Sequence, residues 1–207
     1  MSWTLKVTNS LIILLAIASF SCVEVSFAKS KEQVAQEISQ HFSSVPTMKG
    51  EFIQFGPNGE QTGGEFYIQR PGRIRLNYED PSPLSVISNG RTLAVTNKKL
   101  KTRQFFPLRK TPLSLLLSER LNITDKSVLS VDAGEDVTRV ILGDKSIFGE
   151  SEITLLFDPN SYDLRQWTIK DAQGKETSVM IFNVEKNVRI PKKTFKVGRD
   201  REPVEVR

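Results

Sequence analysis

Gly64-Glu65-Phe66-Tyr67-Ile68-Gln69-Arg70-Pro71-Gly72-Arg73-Ile74-Arg75-Leu76-Asn77-Tyr78 is the stretch on which the reading of this chain turns. Phe66, Ile68 and Arg70 fall on one side of a period-two pattern. Ile74, Leu76 and Tyr78 alternate in the same way with Arg73, Arg75 and Asn77. Successive side chains of a strand point to opposite faces, so this period predicts β-strands with one apolar face.

The pattern extends in both directions. From Met48 onward the period is two, and Asn89-Gly90 is a strong hairpin signal followed by the alternating Leu93 and Val95. Asp158-Pro159-Asn160 and Ala172-Gln173-Gly174-Lys175 read as turns in a later meander of strands over 137–142, 152–157, 163–170 and 176–184. Val140-Ile141-Leu142, Leu155-Leu156-Phe157 and Val179-Met180-Ile181-Phe182 are apolar on both faces, so both faces of these strands are expected to be covered.

Two stretches change period. Ser30 followed by Gln33 forms a capping-box pattern, after which Val34, Ile38, His41, Phe42 and Val45 recur at helical spacing until Pro46. Lys110-Thr111-Pro112-Leu113-Ser114-Leu115-Leu116-Leu117-Ser118 places Thr where an N-cap belongs and Pro at the first helical position. A short leucine-rich helix is predicted there, inserted between two strand systems; its plain reading is a helix that plugs the barrel end as core.

The first residues read as an export signal. Lys6 is the single cation of a polar start, and Leu11-Ile12-Ile13-Leu14-Leu15-Ala16-Ile17-Ala18-Ser19-Phe20 is an apolar run of about ten residues, half of a membrane span. Ser26-Phe27-Ala28 places small residues at −3 and −1 of a cut before Lys29. Cys22, preceded by Ser19-Phe20-Ser21, lacks the Leu and the Gly or Ala of a lipid-attachment box, and it is expected to leave with the signal. The segment over 1–28 carries one cation and one anion, Lys6 and Glu24, so the remainder keeps the net charge of +5 and has no cysteine. Its length suits one domain with a real core. The modest basic excess suits anionic surfaces, membrane headgroups among them, without naming a partner.

The residues that carry chemistry are scarce. The only histidine, His41, sits on the apolar stripe of the first helix. With no cysteine left, a zinc site would need mostly carboxylate ligands. No G-x-S-x-G elbow accompanies His41, and Ser26 and Lys29 of an S-x-x-K match straddle the expected cut. Gly56, Gly59, Gly63 and Gly64 match no phosphate-binding motif. Glu79-Asp80 and Glu135-Asp136 flank turns. Arg70, Arg73 and Arg75 with Tyr67 and Tyr78 suggest nucleic acid only in a compartment that holds it, which an exported protein does not meet. The pattern therefore predicts neither an enzyme nor a nucleic-acid binder.

The quoted stretch resembles the strand pair of outer-membrane lipoprotein carrier proteins (LolA-like), whose signature is an R-P within alternating strands. Gly50-Glu51-Phe52-Ile53-Gln54 resembles that family's first strand, and residues 81–93 resemble its segment ending in S-(D/N)-G-x-x-L. Residues 111–117 are similar to its lid helix, and Lys193-Thr194-Phe195-Lys196-Val197 to its closing strand. Ala94-Val95 stands where the family has an aromatic pair, and the C-terminal residues depart from its ending.

The resemblance implies a mainly β fold with helices: an unclosed, strongly bent antiparallel β-barrel lidded by short α-helices. The expected organisation is a signal peptide over 1–28, the half-barrel over 29–197 and a charged tail over 198–207. The implied role is a periplasmic carrier of lipoprotein acyl chains from the inner to the outer membrane. Its implied partners are lipoproteins destined for the outer membrane and the inner-membrane ABC transporter that releases them, with the outer-membrane acceptor unassigned. It is expected to be a monomer without cofactor or metal. Arg70 is expected at the lid–barrel contact. Leu113, Leu115, Leu116, Leu117, Phe66, Ile68, Leu76, Phe157, Trp167 and Phe182 are expected to form the lid and the acyl-chain cavity. Rival readings are a related half-barrel that senses envelope stress or binds lipid, and a lipidated outer-membrane receptor of the same fold.

Overall fold

The computed structural model describes residues 30–121 and 126–198. The expected signal peptide, its cleavage site, Cys22 and nearly all of the charged tail lie outside the described residues.

Helix α1 spans Lys31–Ser44 and starts as its capping box requires. The Ser30 side chain accepts from the Gln33 N–H, and the Gln33 side chain accepts from the Ser30 N–H, so two orphan donors are satisfied reciprocally. Six strands follow: β1 Thr47–Phe55, β2 Gln61–Gln69, β3 Arg73–Tyr78, β4 Leu84–Asn89, β5 Thr92–Asn97 and β6 Thr102–Pro107. Asn89-Gly90 makes the expected hairpin, with Gly90 at φ 103° and the Asn89 side chain accepting from the N–H groups of Arg91 and Thr92. A 3₁₀ turn, Leu108–Lys110, leads to α2, Leu113–Leu116. The second strand system is β7 Val128–Ala133, β8 Thr138–Gly143, β9 Glu152–Phe157, β10 Leu164–Lys170 and β11 Glu176–Lys186, with α3, Lys145–Phe148, between β8 and β9.

All eleven strands form one antiparallel sheet in the order β6-β5-β4-β3-β2-β1-β11-β10-β9-β8-β7. The two meanders are joined where the first strand pairs with the last, β1 with β11. No described ladder joins β6 to β7, so the sheet is unclosed. It is nevertheless strongly bent: Leu76 and Leu93 from one half share a core with Val140, Leu142 and Leu155 from the other, and α1 and α2 fill the space between. Bulges between Lys49 and Glu51, and between Leu164 and Gln166, add twist and bend. At the first of them the chain approaches itself closely. A Cβ on Gly50 would stand 2.8 Å from the Phe182 carbonyl oxygen and 2.9 Å from the Phe66 ring, so only glycine fits.

Four expectations change. Thr111 does not cap α2: Pro112 holds that position and the Thr111 hydroxyl donates back to the Leu108 carbonyl. Residues 193–197 form no strand; a 3₁₀ turn, Lys192–Phe195, lies across the convex side of β3 and β4, where Arg75 Nη1 donates to the Thr194 carbonyl at 3.1 Å and Phe195 is buried. The late strands are not covered on both faces. Val179 and Ile181 point inward and are buried, whereas Met180 and Phe182 are 46% and 39% exposed. Phe182 therefore belongs to the convex face and not to the cavity. The period-two rule holds for this strand, and two of its apolar residues are simply on the outside.

Candidate functional site

The concave face carries the candidate site. Near its open end, about 310 Å³ of space is lined by Ile74, Leu76 and Tyr78 of β3, Val86 of β4, and Leu93 and Val95 of β5. Trp167 and Ile169 of β10 and Val179 of β11 face them, and Leu113 of α2 closes one side. These side chains share a cavity because each sits on the inward register of its strand. Gln54, Tyr78 and Thr177 interrupt the apolar lining, and the first two are paired: the Tyr78 hydroxyl donates to Gln54 Oε1 at 2.6 Å. Burial pushes the Tyr78 phenol well above its ordinary range, so it stays neutral. Its ring meets Phe52 edge-on, with centroids 5.1 Å apart. The cavity thus presents an apolar, uncharged wall.

Of the residues read from the sequence, Leu76, Leu113 and Trp167 line this space. Phe66, Ile68, Leu116 and Leu117 are fully buried beside it as packed core, and Leu115 packs partly buried against them. Phe157 is buried at the other end, where it borders a second cleft.

Arg70 follows the last residue of β2 and is 6% exposed. Its Nη1 donates to the Val45 carbonyl at 2.5 Å, and its Nε donates to the Leu116 carbonyl at 3.2 Å. Val45 is the C-cap of α1 and Leu116 ends α2, so both carbonyls lie where a helix runs out of its own donors. One cation satisfies both, and its guanidinium carbon lies 3.7 Å from the Phe42 ring centroid. Burial draws the guanidinium pKa down to about 10, which leaves it charged in neutral solution. Backbone bonds reinforce the junction: the Arg70 N–H donates to the Pro46 carbonyl, and the Gly72 N–H to that of Leu117. Arg70 is therefore the side chain that ties α1 and α2 to the barrel end. Its Nη2, however, has no hydrogen-bond partner. Arg73 and Arg75 point to the opposite, convex side, where Arg73 bonds Gln69.

Sequence reasoning missed the partners of Arg70 and a polar latch at the end of α1. His41 Nε2 lies 2.7 Å from Asp163 Oδ1, and Lys186 donates to both oxygens of the same carboxylate. The Tyr162 hydroxyl donates to Glu37 at 2.6 Å. No local pattern announces contacts between residues 23 to 125 positions apart.

The chain is similar in sequence to proteins of a known family. Residues 43–198 match the family described as outer membrane lipoprotein carrier protein LolA. An outer-membrane lipoprotein carrier protein of Azotobacter vinelandii is 26% identical over 194 residues, covering 85% of this chain and 87% of that protein. One from Dechloromonas aromatica is 25% identical, covering 87% and 90%. A LolA-superfamily crystal structure from Nitrosomonas europaea superposes with a TM-score of 0.44 at 10% identity, over 79% of this chain and 97% of that one. An unclosed antiparallel half-barrel with an apolar concave cavity, matched to the family model over three quarters of its length, belongs to the outer-membrane lipoprotein carrier protein (LolA) family.

Proposed function

We propose that this protein is an exported periplasmic carrier that takes lipoprotein acyl chains into its concave cavity and moves lipoproteins from the inner to the outer membrane. The donor is an inner-membrane ABC transporter, and the carrier acts as a monomer whose mature chain begins near Lys29. The observation that carries this reading is the apolar cavity whose side is closed by Leu113 of α2, while α2 itself is held by Arg70.

The energetics suit such a role. Burying an acyl chain is worth about 0.8 kcal/mol per CH₂, so an unescorted chain cannot cross water. A carrier must nonetheless release what it binds. The cavity of about 310 Å³ is at the small end of ligand pockets, roughly 300–1,000 Å³, so cargo enters as α2 and the buried leucines behind it yield. The energy of breaking the Arg70 contacts is then subtracted from the affinity for the chain, which keeps binding reversible.

The deciding experiment incubates the purified protein with spheroplasts that display a labelled lipoprotein. A soluble one-to-one complex is expected. Label that stays on the membrane while the protein binds other apolar probes would instead favour a sensor or lipid-binding module.

A further inference from the structure

Among the described residues, the most demanding unanswered group is the free end of Arg70. It takes part in no described ion pair, its two side-chain partners are neutral carbonyls, and Nη2 is the one buried side-chain nitrogen or oxygen without a partner among the described residues. A buried cation with a spare donor calls for an anionic oxygen. Arg70 borders a cleft of about 200 Å³ at the opposite end of the barrel from the acyl cavity. Phe42 of α1 and Val45, its C-cap, cover it, and Met48, Phe157, Ile181 and Val184 supply apolar walls. Its remaining charged lining groups are Arg165, Lys186 and Asp163, of which Arg165 is paired with Asp158 and Asp163 is engaged by Lys186 and His41. The cleft is thus an apolar slot whose one cation without a carboxylate partner among the described residues is the buried Arg70 guanidinium.

We propose that this cleft is a second ligand site, separate from the acyl cavity, for a single alkyl chain ending in a carboxylate, that is, a fatty acid, with its head on Arg70 and its chain along the β9–β11 walls. Nη2 has no surface of its own in the closed protein, so the head is seated by a small outward movement of the α1 end. The site does not depend on whether lipoproteins are the cargo of the other cavity.

The test titrates the purified, delipidated protein with dodecanoate and with methyl dodecanoate by calorimetry. Dodecanoate is expected to bind at least tenfold more tightly than its uncharged ester. Val184→Trp, which fills the cleft, should weaken the carboxylate-selective binding of dodecanoate at least tenfold, whereas Val95→Trp, which fills the acyl cavity, should leave that preference over the ester unchanged. A diazirine-bearing dodecanoate should crosslink wild-type protein between residues 157 and 186, which decides the matter even if a tryptophan variant does not fold. Equal affinity for the ester, unchanged binding in folded Val184→Trp, or crosslinks confined to residues 84–95 would overturn the proposal. Lipoprotein loading is scored separately, so failure here and failure of the carrier reading are told apart.

Discussion

Arg70 Nη1 donates to the Val45 carbonyl at 2.5 Å, joining the end of β2 to the end of α1 across 25 residues of sequence. With the bond from Nε to Leu116, this makes one side chain the common fastening of both helices. A hydrogen bond to a charged group is worth about 1.5–3 kcal/mol, and opening α2 breaks the one to Leu116.

Arg70→Leu should therefore lower the cost of opening and tighten lipid retention about ten- to a hundredfold, on the scale of about 1.4 kcal/mol per decade. Loading should proceed while transfer to outer membranes stalls. Arg70→Lys should fall between, since an ammonium lacks the planar fork. Arg73→Leu, on the convex face, should transfer normally; Arg75 is a poorer control because it fastens the Thr194 carbonyl. Release of cargo by Arg70→Leu at the wild-type rate would sink the lid role.

Leu116 is fully buried, so a charge there threatens the whole fold, and the cavity is better probed at Val95, which is only partly buried. Val95→Glu should weaken binding of an apolar fluorescent probe by about tenfold or more, since an unpaired charge in an apolar cavity is strongly disfavoured. The far-ultraviolet spectrum should persist. Trp167, 2% exposed in the cavity wall, reports occupancy directly.

Phe182→Ser supplies the converse test. Phe182 lies outside, so probe binding should be unchanged and stability should move by no more than about 0.5 kcal/mol. Loss of probe affinity would return Phe182 to the cavity.

Gly64 marks a close approach of β2 to β3. A Cβ there would lie 1.9 Å from the Asn77 carbonyl oxygen, at a φ of 154°. Gly64→Ala should cost at least the 1–3 kcal/mol that is usual for overpacking, or roughly 2–4 °C of Tm per kcal/mol. Gly174→Asn, at φ 77° with nothing within 4 Å, should melt close to the wild type.

Acid should loosen α1. Burial pushes the Asp163 carboxyl up, but hydrogen bonds from Lys186 and His41, together with their charges, outweigh it and hold the group below its ordinary value. A depressed carboxylate contributes stability that is present above the unfolded pKa of about 3.9 and is lost as pH falls through the lower folded value. Asp163→Asn should therefore melt below the wild type at pH 7, and the gap should begin to narrow as the pH falls below about 4. A gap that does not narrow as the pH is lowered from about 4 would show that the contact is not ionic.

What the sequence determined by itself is everything written in local period. The alternation through Phe66 to Tyr78, the Asn89-Gly90 turn and the Ser30–Gln33 box each place a residue relative to neighbours a few positions away, and each is found where the pattern puts it. The R-P within that alternation also carried the family resemblance. Only tertiary structure decided what stands opposite each face. Period two says that Met180 and Phe182 share a side, but not that this side is the convex one left open to water. The leucines of α2 announce burial, yet which of them line space and which pack solid depends on the bend that brings β3 and β10 together. The partners of Arg70 lie 25 and 46 residues away, and Asp163 lies 122 residues from His41. Contacts of that range are set by how the sheet curls around its helices, and no window of sequence records that curl.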